Sequence, residues 1–143
     1  MEAIHAFFGI PSIFAGDPKN APHPDSDPAT YEYYKKLFSQ KMKMPELRYG
    51  EIVLRDIRCD NSWVFAGIRH FENRSVLAVV SLSDNNESVR VTLPANFRSK
   101  KGDKTIVLND VIQSANSSSG TVDRSAGVVQ FTMKPFQVLI GRF

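Results

Sequence analysis

The sequence predicts a mainly β protein, an antiparallel, Greek-key-like β-sandwich preceded by one α-helix and a short apolar segment. Three observations predict it. Apolar side chains recur at helical spacing between residues 28 and 44, apolar residues recur with period two from Glu51 onward, and the breaks between those later runs are rich in turn formers. The 143 residues suit a single domain, and a chain of this size buries about two-thirds of the surface its unfolded form exposes. Hydrophobic residues at 42% and charged residues at 23% match an ordinary globular composition.

The first sixteen residues are unusually apolar. Gly9 and Pro11 divide them into two short pieces, the first reading as the end of a helix and the second as a short buried strand around Ile13 and Phe14. Neither piece is one-sided, so both faces need cover, as in a strand of a parallel barrel. Nothing before residue 1 is present to cover them, and the chain is therefore expected to be truncated. Residues 17–28 hold four prolines among Asp and Asn, which excludes regular structure and predicts a surface loop.

Asp27-Pro28 is a helix start, with Asp as the N-cap and Pro in the first helical position. The helix is expected over about residues 28–44. Tyr31, Tyr34, Phe38 and Met42 form its apolar stripe, with Leu37 beside them and Tyr33 off the stripe. Lys35, Lys36, Lys41 and Lys43 suit its C-terminal half through the helix dipole, and Pro45 ends it.

Seven runs then read as strands: 52–58, 62–71, 76–83, 87–93, 104–110, 127–133 and 136–142. Val89, Val91 and Leu93 are expected to face the core, as are Val129, Phe131 and Met133. Leu77-Ala78-Val79-Val80 is apolar on both faces, the mark of a central strand. Turns are placed at residues 72–74, 84–86 and 101–103, and residues 116–120 read as a hairpin tip. Short strands at this spacing predict two packed antiparallel sheets.

The net charge of +3 is too small for a nucleic-acid partner, which wants a clustered basic face. The basic group Arg98, Lys100, Lys101 and Lys104 reads as a solvated turn. No apolar run reaches the roughly 18 residues of a membrane span. One cysteine, Cys59, excludes an internal disulfide and reads as a semi-buried, inert thiol. The N-terminus lacks a basic leader region. Asn73, Asn86 and Asn116 fit the glycosylation pattern, which matters only on a secretory route, so the location is open between cytoplasmic and secreted.

Gly9-Ile10-Pro11-Ser12-Ile13-Phe14-Ala15-Gly16-Asp17 resembles the last barrel strand of α-amylase-type enzymes, glycoside hydrolase family 13. The segments Tyr34-Lys35-Lys36-Leu37 and Pro45-Glu46-Leu47-Arg48-Tyr49-Gly50-Glu51 are similar to the last barrel helix of that family and its exit. Residues 63–69 and 76–83 resemble the first strands of its C-terminal sandwich, and Lys134-Pro135-Phe136-Gln137-Val138-Leu139 resembles the closing strand. The resemblance implies a chain divided into residues 1–50, a remnant of the last barrel strand with a Pro-rich loop and helix, and residues 51–143, a C-terminal β-sandwich of the amylase type. It implies a parent that cleaves or transfers α-glucosidic bonds with an aspartate nucleophile and a glutamate acid/base on upstream strands. None of those carboxylates matches a position here, so no catalytic residue is assigned and no turnover is expected of this chain alone.

The candidate sugar-contacting residues are Trp63, Tyr33 and Asp17. Trp63 can stack on a sugar ring, but it shares a strand face with Phe65 and reads first as a core residue. Asp17 follows the barrel-like strand and reads first as a loop-ordering carboxylate. His5, His23 and His70 lack ligand spacing, and no metal or cofactor is expected. The expected partner is the missing catalytic barrel. Without it, uncovered apolar surface is worth about 25 cal/mol per Å² and favours self-association through residues 1–44 or folding of the first segment onto the sandwich. A stand-alone carbohydrate-binding sandwich, with an oligosaccharide as ligand, is the second reading. An unrelated sandwich that mediates protein contacts is the third.

Overall fold

The chain builds three layers in the computed structural model, which describes residues 2–9, 25, 27–98, 105–111, 118–123 and 127–143. A helical layer covers one face of a six-stranded sheet, and a three-stranded sheet covers the other. The helices are α1 (Glu2–Phe8), α2 (Pro28–Lys43) and α3 (Pro45–Tyr49). The strands are β1 (Glu51–Val53), β2 (Arg58–Cys59), β3 (Val64–Phe71), β4 (Arg74–Ser81), β5 (Glu87–Thr92), β6 (Thr105–Asp110), β7 (Ser118–Asp123), β8 (Val128–Met133) and β9 (Val138–Arg142). The large sheet runs β1-β3-β4-β9-β6-β7 and the small one β2-β5-β8, with every pairing antiparallel.

The start of α2 follows the expected chemistry. Asp27 Oδ1 accepts from Thr30 N at 3.1 Å, Pro28 occupies the first turn, and Lys41 and Lys43 lie in the last. The buried face differs from the expected stripe. Leu37 is fully buried, and Tyr33, Phe38 and Met44 pack against the helix–sheet core, while Met42 is 61% exposed. Tyr33 precedes Leu37 by one turn, so rotating the stripe toward Leu37 brings it in and turns Met42 out.

The central strands explain why two cores exist. Along β4, Leu77 and Val79 point into the core between the sheets, while Val76, Ala78 and Val80 point into the core beneath the helices. β9 repeats this with Leu139 on one side and Val138 and Ile140 on the other. The doubly apolar segment is thus a strand covered on both faces. Val89, Val91, Leu93, Val129 and Met133 close the sandwich from the small sheet, as expected, with Phe131 partly buried among them.

Three expectations are corrected. The run 52–58 is two strands in two sheets: β1 pairs with β3, β2 pairs with β5, and the chain crosses between the layers through Asp56 at φ 67°. Residues 118–120, expected in a hairpin tip, begin β7, which pairs with β6 at the sheet edge. Ser-Ser-Gly has little intrinsic strand preference; cross-strand hydrogen bonding to an otherwise open edge supplies it. The last strand begins at Val138, and Phe136 belongs to the turn before it. The barrel-strand reading of residues 10–17 lies outside the described residues, as does the Pro-rich loop through residue 24.

The segment α1 is folded onto the sandwich. Phe7 is fully buried and Ala3, Ala6 and Phe8 nearly so. Phe8 meets Phe65 edge-on at 5.1 Å, and its ring lies over Gly67, where a Cβ would come within 2.6 Å of it. The missing Gly67 side chain therefore makes the seat for Phe8. Gly67→Ala should destabilise the fold by about 1–3 kcal/mol through overpacking, measured by urea unfolding, and should speed amide exchange in α1 more than in β5.

The segment 45–51 joins the helices to the sheet. Glu46 is fully buried. Its Oε2 accepts from Arg142 Nη2 at 3.0 Å, and its Oε1 lies 3.4 Å from Arg74 Nε. Arg69 donates to the backbone carbonyls of Glu46 and Leu47, adding a side-chain donor at the C-terminal end of a five-residue helix. Gly50 passes so close to β3 that a Cβ would lie 2.7 Å from the His70 carbonyl oxygen. Arg142→Ala leaves the buried carboxylate with Arg74 alone and should cost about 3–5 kcal/mol. Glu46→Gln should cost less, because Arg74 and Arg142 are 48% and 44% exposed and can turn to water. Urea titrations of the two variants check the order.

Candidate functional site

The end of the large sheet where β3 begins and β4 finishes carries two outward aromatic rings. β4 lies between β3 and β9, so the residues that continue it are bonded on both sides. Leu82 N donates to Trp63 O at 2.8 Å, and Phe136 N donates to Ser83 O at 3.0 Å. Adjacent residues of one strand extension thereby hold Trp63 and Phe136 on the same rim. Trp63 is 59% exposed and Phe136 61%. With Leu82, Ser83, Asp84, Asn85 and Glu87 they line an open cleft of about 380 Å³.

Trp63 is not the core residue expected from its spacing with Phe65. The chain is still in a turn at residues 62–63 and enters β3 only at Val64, so the strand alternation does not yet apply. Asn61 sets that turn. Its Oδ1 accepts from Trp63 N at 2.8 Å, while its Nδ2 donates to Glu87 Oε2 at 2.6 Å and to Ser88 O at 3.2 Å.

Phe136 occupies the third position of a four-residue turn closed by Gln137 N donating to Lys134 O at 3.2 Å. Pro135 suits the second position, but the third has φ 51°, a conformation that glycine or asparagine takes readily and that costs another residue about 1–3 kcal/mol. Gln137 holds the turn in place. Its Oε1 accepts from Lys134 N, and its Nε2 donates to Asp110 Oδ2 at 2.7 Å in a buried position. The Lys-Pro-Phe order was the sequence signal for this turn; reading the strand from Phe136 concealed it.

The polar wall is acidic and amide-bearing. Asn85 Nδ2 donates to Asp84 Oδ1 at 2.7 Å, and Asn85 N donates to Ser83 Oγ at 3.0 Å. Hydrogen bonds from Ser83 first and Asn61 second hold the Glu87 carboxyl below the usual glutamate range.

The remaining expected positions do not join this cleft. Tyr33 packs its half-buried ring against the helix–sheet core, 5.9 Å from the ring of Tyr34, and does not line the cleft. Asp17, His23 and residues 99–104 lie outside the described residues, and His5 is placed only as part of α1. Arg98 donates from Nε to Leu93 O at 3.1 Å, a structural contact. His70 Nδ1 shares a hydrogen bond with Ser75 Oγ at 2.9 Å. Cys59 is half-buried, and burial pushes its thiol pKa up, which suits an inert side chain. Among the described residues no group of three His, Cys, Asp or Glu could hold a metal ion, and no helix is long and apolar enough to cross a membrane.

No protein-family model matches the sequence, and no curated protein matches it. Solved structures do. A noncanonic maltogenic α-amylase from Thermotoga neapolitana superposes with a TM-score of 0.59 at 20% identity, over 79% of this chain and 25% of that one. The fold is that of a segment of α-amylase-type enzymes. An isomaltulose synthase from Klebsiella sp. LX3 matches with a TM-score of 0.51 at 23% identity, over 94% of this chain and 22% of its own. An Anoxybacillus α-amylase gives 0.54 at 13% identity, over 92% and 24%. The chain thus spans about a quarter or less of the length of these enzymes.

The hydrogen bonds around Glu87 have a measurable consequence. A depressed carboxyl pKa gives a stabilisation that is fully present above the ordinary glutamate value and lost as pH falls through the depressed one. Carbon-detected NMR titration should find Glu87 below a free glutamate. Asn61→Ala, which removes one donor, should move it part of the way back up.

Proposed function

We propose that this chain is the C-terminal, non-catalytic part of an α-amylase-like glycoside hydrolase acting on α-glucans or α-glucosides, and that its sandwich braces the catalytic barrel of that enzyme. Asymmetric coverage supports this most: the solved enzymes match across 79–95% of this chain but only 18–25% of their own length. In this reading residues 1–50 are the end of the barrel with its connecting loop and helix, and residues 51–143 are the sandwich.

The packing fits that division of labour. α2 and α3 precede the sandwich and cover its large sheet, whereas a sandwich with an accidental likeness would have no such helical layer in front of it. Retaining glycosidases need two carboxyls about 5–5.5 Å apart across the scissile bond, presented by barrel strands at their C-terminal ends. The described strands here form two antiparallel sheets. Glu46, the most deeply buried carboxylate among the described residues, is held by Arg74 and Arg142, so its role is mechanical. The second reading, a sugar-binding sandwich, is favoured by the Trp63–Phe136 cleft and is compatible with the first.

Two measurements test the proposal. The genomic sequence upstream of codon 1 should continue the reading frame into a barrel carrying the aspartate and glutamate that the chemistry requires; a stop codon in that frame would remove the parent enzyme. The purified 143-residue chain should release no glucose or shortened product from maltooligosaccharides, and turnover by it would overturn the non-catalytic assignment.

A further inference from the structure

We infer that the cleft between Trp63 and Phe136 is a binding site for a single stretch of neutral sugar, one or two pyranose rings of an α-linked glucan, on the sandwich itself. Three features carry this. The two rings are the most exposed aromatic platforms on the sandwich strands and turns, at 59% and 61%, and they share one cleft. Exposed aromatic surface on a soluble domain is informative when it is clustered around polar groups. The apolar C–H face of a pyranose ring covers such a platform, while its hydroxyls need hydrogen-bonding partners at the edge.

The wall supplies those partners. Asp84 and Glu87 present carboxylate acceptors, and Asn85 an amide that both donates and accepts. Neighbouring hydroxyls of a sugar need this mixture. Among the described residues no lysine or arginine lines the cleft, so two carboxylates would repel a phosphate, a nucleic acid or an acidic peptide. The cleft volume of about 380 Å³ falls at the small end of the roughly 300–1,000 Å³ typical of ligand sites, which suits one or two rings.

The turn at Phe136 is the third feature. A phenylalanine stands where the backbone favours glycine, at φ 51°, and buried Gln137 and Asp110 hold the turn in that state. Strain maintained by its surroundings points to a use for the side chain it exposes. Here it places a ring on the same rim as Trp63. The α-linkage of the glucan rests on the proposed parent enzyme; the sugar-binding character of the cleft does not.

Trp63 is the sole tryptophan, so its emission reports this cleft alone. The 143-residue chain should show a saturable change in emission on titration with maltotriose and a weaker one with cellotriose. Phe136→Gly should weaken maltotriose binding about tenfold or more, a loss on the scale of one aromatic contact, while its melting temperature stays level or rises because the strain is relieved. Trp63→Ala, followed by calorimetry, should abolish binding with little loss of stability, since the ring is mostly in water. No saturable response to either sugar overturns the inference, and so does full affinity in Phe136→Gly. Binding of cellotriose without maltotriose overturns the α-linked assignment. None of these results bears on the parent enzyme, which the upstream reading frame decides.

Discussion

The buried carboxylate of Glu46 is the constraint on which the arrangement of layers depends. It lies in the five-residue helix α3, at 0% exposure, and reaches Arg74 at the start of β4 and Arg142 at the end of β9. Arg69 of β3 closes the same junction from below by donating to two helix carbonyls. One short helix is thus bonded to three adjacent strands of the large sheet. Burying an ion pair is a poor source of net stability, because desolvation offsets most of the attraction. Its contribution here is geometric. A carboxylate that cannot reach water tolerates only the placement in which its arginines meet it, and that placement sets the angle at which the helical layer meets the sheet.

The sheet beneath must then be apolar on both faces. β4 and β9 satisfy this by alternating between two cores, and the absent side chain of Gly67 lets the ring of Phe8 settle directly on β3. Helix α1 packs on this surface. Burial of Ala3, Ala6, Phe7 and Phe8 there removes apolar area from water.

At the end of the sheet toward Trp63 the constraint changes in character. Glu46 lies near the β3–β4 hairpin end of the sheet, where β9 finishes. The cleft lies where β3 and β9 begin, and no core packing requires its two aromatic rings. They are held out by turns: one ordered by Asn61, the other by Gln137 against a strained backbone. The Glu46 junction and the cleft therefore occupy separate parts of the structure.

Much of the fold was legible in the chain because it depends on local chemistry. Asp27-Pro28 marks a helix start through capping, period-two alternation in residues 87–93 and 127–133 marks half-buried strands, and the doubly apolar residues 77–80 mark a central one. The resemblance carried by residues 45–51 pointed to a hinge between barrel and sandwich; in the structure these residues are a short helix leading into β1. What local pattern cannot encode is partnership. Only the tertiary structure paired β7 with the edge of β6, split 52–58 between two sheets, turned α2 so that Tyr33 went in and Met42 out, and set Trp63 in a turn one residue before strand alternation begins. The cleft was illegible for the same reason. Trp63 and Phe136 stand far apart in sequence, and hydrogen bonds to the neighbouring residues Leu82 and Ser83 bring them to one rim only after three strands have paired.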